Sequence, residues 1–297
     1  MIINSANLNA LRIGFKTSFQ RGLEQAVSQY LRVATEVPST TKEERYGWLG
    51  KIPGMREWIG DRVVQNLMEY DYSIKNKPFE LTIGVDRDDV EDDTLGTYAP
   101  LFEEMGLSTR AHPDLLTFAL LKAGFATACY DGQFYFDTDH PVLDENGAVQ
   151  SVANTDGGAG TPWYLLCTKR ALKPLIFQRR KAPQFVAKDR PEDDNVFDKK
   201  EFRYGVDARY NVGFGFWQFA WGSKQTLDAA HYETARAGLT GMKGDHGRPL
   251  GLMPDLLVVP PSLEGAGRGI LQSQLVNGGE SNKWAGTAEL LVVPWLA

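Results

Sequence analysis

Between Pro38 and Pro78 the chain is interrupted by Pro38, Gly47, Gly50, Pro53, Gly54 and Gly60, and the same span carries Trp48 and Trp58 close to Arg45, Arg56 and Arg62. Chain breakers at that density forbid one long helix or one long regular strand. The stretch is therefore expected to be an arm of short strands and turns with no deep core of its own. Aromatic side chains beside arginines are the residue types that dominate contacts between proteins. Either the stretch folds down as a β-meander on its own domain or it reaches a partner. The residues alone leave both readings open.

The remainder of the 297 residues has ordinary globular composition, 42% apolar and 24% charged, enough for one large domain or two smaller ones. A net charge of -6 argues against coating nucleic acid by bulk attraction. Two cysteines, Cys129 and Cys167, are too few for a secreted disulfide scaffold and suit a reducing compartment. No apolar run is long enough for a membrane helix, and the N-terminus lacks the order of a secretion signal. A soluble protein retained in the producing cell is expected.

Leu8, Leu11, Phe15, Phe19 and Leu23 recur at helical spacing and predict an amphipathic helix over 7–30 with Asn7 as N-cap. Its apolar face suits the chain's own core better than a neighbour. "FELTIGV" (79–85) alternates as a strand with Phe79, Leu81, Ile83 and Val85 inward. The acid-rich "DRDDVEDD" (86–93) suits a helix N-terminus better than a cation loop. A long helix is expected from Tyr98 to Ala123, kinked or restarted at Pro113 and closed by Gly124. Further strands are expected at 163–167, 213–221, 255–259 and 288–295, with a helix between the second and third. The first, third and fourth are apolar on both faces, as in a covered sheet. The charged segment 187–202 is expected to be a mobile loop.

Chemistry is most concentrated in "CYDGQFYFDTDHP" (129–141). Cys129, Asp137, Asp139 and His140 have ligand chemistry, but their spacing matches no usual zinc pattern, and His140 precedes a proline. A turn held by local side-chain hydrogen bonds is the better reading. His112, His231 and His246 form no H-E-x-x-H pair, and no serine sits in G-x-S-x-G. "DGGAGTP" (156–162) lacks the lysine of a phosphate loop, and "EGAGRGI" (264–270) is a degenerate dinucleotide turn lengthened by Pro260 and Pro261. No acid, base, nucleophile and anion hole converge.

The segments "SANLNALRIGFKTSFQRGLEQA", "VPSTTKEERYGWLG", "REWIGDRVV", "YAPLFEEMG", "HPDLL" with "LLKAGF", "CYDGQFYFDTDHP" and "TPWYLLC", with the terminal "LLVVPW", resemble the major head subunit (gpT) of Mu-like transposable tailed phages. The likeness covers nearly the whole chain. It implies an α+β protein of the tailed-phage major capsid fold (Hong Kong 97 type). On that plan residues 1–42 are an N-terminal arm, 43–78 an extended loop lying across a neighbour, and 79–124 a peripheral domain with a spine helix. Residues 125–297 are an axial domain, with a return to the peripheral sheet near 203–221.

The resemblance shifts the arm helix and the loop towards contacts between subunits, with Phe15, Phe19, Arg45, Trp48, Arg56, Trp58 and Arg62 as the expected contact residues. It implies self-assembly into hexamers and pentamers of an icosahedral head enclosing double-stranded DNA, held non-specifically. Expected partners are further copies, a separate scaffolding protein, a portal at one vertex and, left open, a decoration protein. The expected place is the virion, after assembly in the host cytoplasm. No catalytic residue, metal or cofactor is expected, no lysine–asparagine cross-link through Lys51 or Lys75, and no N-terminal processing. The rival reading is a metal- or nucleotide-dependent enzyme on 125–297, with "DTDHP" or "EGAGRGI" as its site. A third is a monomeric binding module that grips a ligand with the Trp48/Trp58 arm.

Overall fold

The computed structural model describes residues 5–49, 52, 71–92, 96–276 and 278–297. Helix α1 (Ser5–Gln25) leads through a short turn, α2 (Tyr30–Val33), into strand β1 (Ala34–Pro38). Strands β2 (Glu43–Arg45) and β3 (Ser73–Lys75) pair antiparallel and close the base of the 38–78 stretch. Then come β4 (Lys77–Asp86), α3 (Arg87–Asp92) and the long helix α4 (Ala99–Ala123). β5 (His140–Leu143) and β6 (Val149–Val152) form a hairpin. They are followed by β7 (Thr155–Gly158), β8 (Trp163–Leu166), β9 (Leu175–Lys188), α5 (Asp194–Lys199) and β10 (Glu201–Phe214). The chain ends through β11 (Ala220–Lys224), α6 (Ala229–Thr240), β12 (Leu256–Val259), α7 (Glu264–Leu271), β13 (Leu275–Val276), β14 (Glu280–Ser281) and β15 (Glu289–Val292).

Two sheets organise these elements. The first has the order β1-β9-β10-β4, with β4 unpaired on its outer side among the described residues. Helices α1 and α4 lie on one face, where Phe15, Phe19, Phe102, Tyr204 and Val206 form a compact core. The two helices cross with their backbones in contact. A Cβ on Gly106 would stand 2.2 Å from the Phe19 carbonyl oxygen, and one on Gly22 would stand 1.9 Å from that of Glu103. The second sheet, β15-β12-β8-β11-β7, carries the larger core, with β8 and β12 fully buried. Apolar side chains on both faces of those strands fit a sheet covered on both sides.

Several expectations are corrected. Helix α1 is described from Ser5, so Asn7 lies inside it rather than capping it, and it ends at Gln25. Helix α4 runs through Pro113 as one helix. Asp114 stays inside that helix. Its buried carboxylate accepts from Ser28 Oγ and from the backbone N–H of Gln29 and Tyr30, fastening the α1–α2 linker to α4. The 213–221 strand is two strands. β10 ends at Phe214 in the first sheet and β11 starts at Ala220 in the second, so this segment carries the chain between sheets. The 187–202 segment is ordered: Asn195 Nδ2 donates to the carbonyls of Lys188 and Glu201, tying α5 across the β9–β10 hairpin.

In β4 only Val85 is buried; Phe79 and Ile83 are half-covered and Leu81 is 36% exposed. The alternation selects the inward face, but α4 does not reach across the edge strand. Pro183 is accommodated in β9 at a register shift against β10, between Gln184 and Lys181. No helix among the described residues is long and apolar enough to cross a membrane.

Candidate functional site

The 129–141 stretch folds into a turn sealed against the core. His140 is fully buried and stacks on Trp217, with ring centroids 3.9 Å apart and planes 8° from parallel. Its Nδ1 lies 2.7 Å from Asp131 Oδ2. The Cys129 thiol donates to Asp131 Oδ1 at 3.1 Å, and the Gln133 N–H donates to the same oxygen. Burial pushes the Asp131 carboxyl up, but the hydrogen bonds from His140, Cys129 and Gln133 outweigh it and hold the group below the usual carboxylate range. Burial, reinforced by the Asp131 charge, pushes the Cys129 thiol well up. A thiol bonded to a carboxylate rather than to an imidazole, and disfavoured as thiolate, is the opposite of an activated nucleophile.

Cys129, Asp131 and His140 place three donor atoms within 4.8 Å of one another. The two contacts to Asp131 are hydrogen-bond separations, and a metal would have to displace both protons to enter. Sequence reasoning misses Asp131 as the centre of this cluster, because spacing does not show which acid faces inward. Asp137 instead accepts from the Phe134 and Thr138 N–H groups, and Asp139 lies at the surface. Buried Asn154 completes the seal. Its Oδ1 accepts from the Asp137 N–H, and its Nδ2 reaches the carbonyls of Tyr135, Trp217 and Ala220.

The glycine-rich motifs serve packing. "EGAGRGI" is helix α7, where a Cβ on Gly267 would meet Leu290 of β15 at 2.6 Å. In "DGGAGTP", Gly158 takes a φ of 98° against the backbone of Lys224. Three acids of 86–93 have partners within the chain: Asp86 accepts from the Asp88 N–H, Asp88 pairs with Lys200, and Asp89 accepts from Tyr98 Oη.

The expected contact residues divide. Phe15 and Phe19 are only 5% and 2% exposed, and their rings pack on Phe102, Tyr204 and Phe185 of the same chain. They belong to this chain's own core, as the helical spacing alone suggested. Trp48 is half-buried near Tyr46 and Phe216, with neighbouring Leu49 wholly inside. Arg45 is exposed and faces Asp71 at 3.9 Å, a pair worth little in water. Arg56, Trp58, Arg62 and Lys51 lie outside the described residues. Lys75 is exposed on β3.

What emerges is two sheets, an N-terminal helix docked on a long spine, and the β2–β3 pair packed through Ile74 and neighbouring Tyr46 against the larger core. A family model described as Mu-like prophage major head subunit gpT matches residues 8–296. The chain belongs to that family. The major capsid protein of Escherichia phage Mu is 44% identical over 305 residues, spanning all of both chains. The Mu-like prophage FluMu major head subunit of Haemophilus influenzae is 45% identical over 275 residues, 90% of this chain and 89% of that one. Among solved structures, the procapsid of bacteriophage JBD30 matches with a TM-score of 0.87 and 46% identity, covering 99% of this chain and 100% of that one. The JBD30 capsid decorated with minor capsid protein trimers matches at 0.78 and 36%, over 94% of each chain. The gpT-family chain is a major capsid protein of the tailed-phage type, with the α+β capsid fold.

Proposed function

We propose that this gpT-family chain assembles with copies of itself into hexamers and pentamers, building an icosahedral head around double-stranded DNA. The observation that carries the reading is the match along the full chain to capsid subunits, in sequence and in fold. The partners we assign beyond further copies are a separate scaffolding protein, a portal at one vertex and a decoration protein. The JBD30 capsid carries minor capsid protein trimers. The place we assign is the virion, after assembly in the host cytoplasm. The role is structural rather than catalytic. That reading is supported by the closed Cys129–Asp131–His140 turn, which presents no activated nucleophile.

The division into arm (1–42), extended loop (43–78), peripheral domain (79–124) and axial domain (125–297) is part of the same proposal. The β2–β3 pair supports a projecting loop that leaves and returns at one point. The β4–β10 pairing supports the return of the chain near 203–214 to the sheet beneath the spine helix. Arg45 and Trp48, at the loop base, are the described residues we assign to contacts between subunits.

Negative-stain electron microscopy with size-exclusion light scattering, on the chain produced alone and with its scaffold, tests the reading. Shells, rings or tubes are expected. A strictly monomeric species under both conditions would refute self-assembly.

A further inference from the structure

Between α4 and the β4 edge of the first sheet lies an open cleft of about 180 Å³. Its walls include Phe79, Leu81, Thr109, His112, Val206 and Tyr210. The Phe79 ring stacks on Tyr210 at 4.9 Å and meets His112 edge-on at 4.5 Å, so the cleft is a half-finished aromatic cluster. His112 Nδ1 is occupied by Tyr210 Oη at 2.8 Å, and burial lowers the pKa of the imidazole. The cleft therefore favours an apolar, aromatic guest over a charged one.

The same chain carries a matching protrusion. Phe197, on α5 at the tip of the β9–β10 hairpin, is 83% exposed. It stands on a well-fixed base, since Asn195 and Val196 beside it are buried and tied down. A phenyl ring held in water on an ordered element costs free energy that burial elsewhere would recover. It cannot enter its own cleft. From Glu201 to Val206, the first cleft residue on β10, the strand already spans roughly 17 Å at strand rise.

We infer that Phe197 of one copy inserts into the α4/β4 cleft of a second copy, forming a head-to-tail contact of the shell. Charge agrees with this pairing. Exposed Asp194 and Asp198 flank Phe197, while exposed Lys77 stands opposite cleft-lining Tyr210 on the β4 edge, and Lys199 beside the ring suits Glu80 in the cleft wall. A protrusion and a pocket at different places on one chain generate heterologous contacts, which close into rings or extend into lattices. The inference rests on the shell-subunit reading above.

The test places cysteines at the two surfaces of the full-length chain. Ser108 lines the cleft and is exposed. Shells of the double variant Ser108→Cys/Phe197→Cys, oxidised mildly, should yield a ladder of covalent dimers, trimers and longer chains on denaturing gels. Shells of either single variant should not. Native Cys129 and Cys167 are buried and should stay silent. Intact shells without the ladder would overturn this contact and leave the shell-subunit reading standing. Failure of the unmodified chain to assemble would instead refute that reading. If the cysteine variants themselves fail to assemble, Phe197→Ala decides. It should leave the subunit's circular dichroism unchanged and raise the critical concentration for assembly about tenfold or more. An unchanged critical concentration would overturn the contact.

Discussion

Replacing Gly106 by alanine should destabilise the subunit although alanine is the better helix former. In an open helix position the exchange stabilises by up to ~1 kcal/mol. Here the new Cβ would stand 2.2 Å from the Phe19 carbonyl oxygen, 2.8 Å from the Leu23 nitrogen and 3.0 Å from the Gly22 Cα. Non-bonded heavy atoms settle near ~3.5 Å, so α1 must retreat by roughly 1 Å, which forfeits a quarter to a half of the contact energy across the gap. Phe15 and Phe19, both on the retreating face, are each worth about 1.5–3 kcal/mol when fully buried. Losing part of that, adding ~1–3 kcal/mol of overpacking strain and crediting the helix gain, leaves a net loss of about 2–4 kcal/mol. Thermal melting of the unassembled subunit, followed by circular dichroism, should show Tm falling by roughly 3–6 °C.

Gly14 is the internal control. It lies exposed on α1, and a Cβ added there would meet nothing within 4 Å. Gly14→Ala should raise Tm by about 2 °C. A Gly106→Ala variant that melts at or above the parent, while Gly14→Ala behaves as expected, would refute the backbone-to-backbone crossing of α1 on α4.

Asp114→Ala removes the acceptor for Ser28 Oγ and for two backbone N–H groups, and should cost about 2–4 kcal/mol. Hydrogen exchange should show the added opening concentrated at residues 26–33, and a uniform loss would contradict the fastening role. Asp131 is held below its ordinary range in the folded chain, so the unfolded chain binds its proton first as pH falls. Its stabilisation is full above the unfolded value near ~3.9 and is lost as pH drops through the lower folded value. Asp131→Asn should lower stability at neutral pH and flatten the acid limb of a pH–stability curve below about pH 4. An acid limb identical to the parent's would show that Asp131 does not carry it.

The difference between legible and hidden features follows from the range of the forces involved. Helical spacing of Leu8, Phe15 and Phe19 is local, and it identifies both the helix and its own-core packing. The fully apolar "WYLL" and "LLVV" announce covered strands for the same reason. The 129–141 turn is legible as a turn, since side chains that bond nearby backbone leave a compositional trace. Gly22 and Gly106 stay hidden, although glycine inside a helix is a usable signal. Their meaning depends on the two helices crossing at those positions, which lie far apart in the chain. Asp114 likewise shows nothing of its role until Ser28 and Tyr30 are placed against it.

By its sequence alone this chain determined its three longest helices, strands β4, β8, β12 and β15 and, through long specific motifs, its family. Periodicity and turn chemistry act over a few residues, and they survive without knowledge of distant partners. Only the tertiary structure decided which faces are finished. It divided 213–221 between two sheets, and left Leu81 and Phe197 in water. Coverage depends on where α4 ends across the β4 edge, a matter of packing between segments far apart in the chain, and hydrophobic side chains do not record which of them will be left without a neighbour.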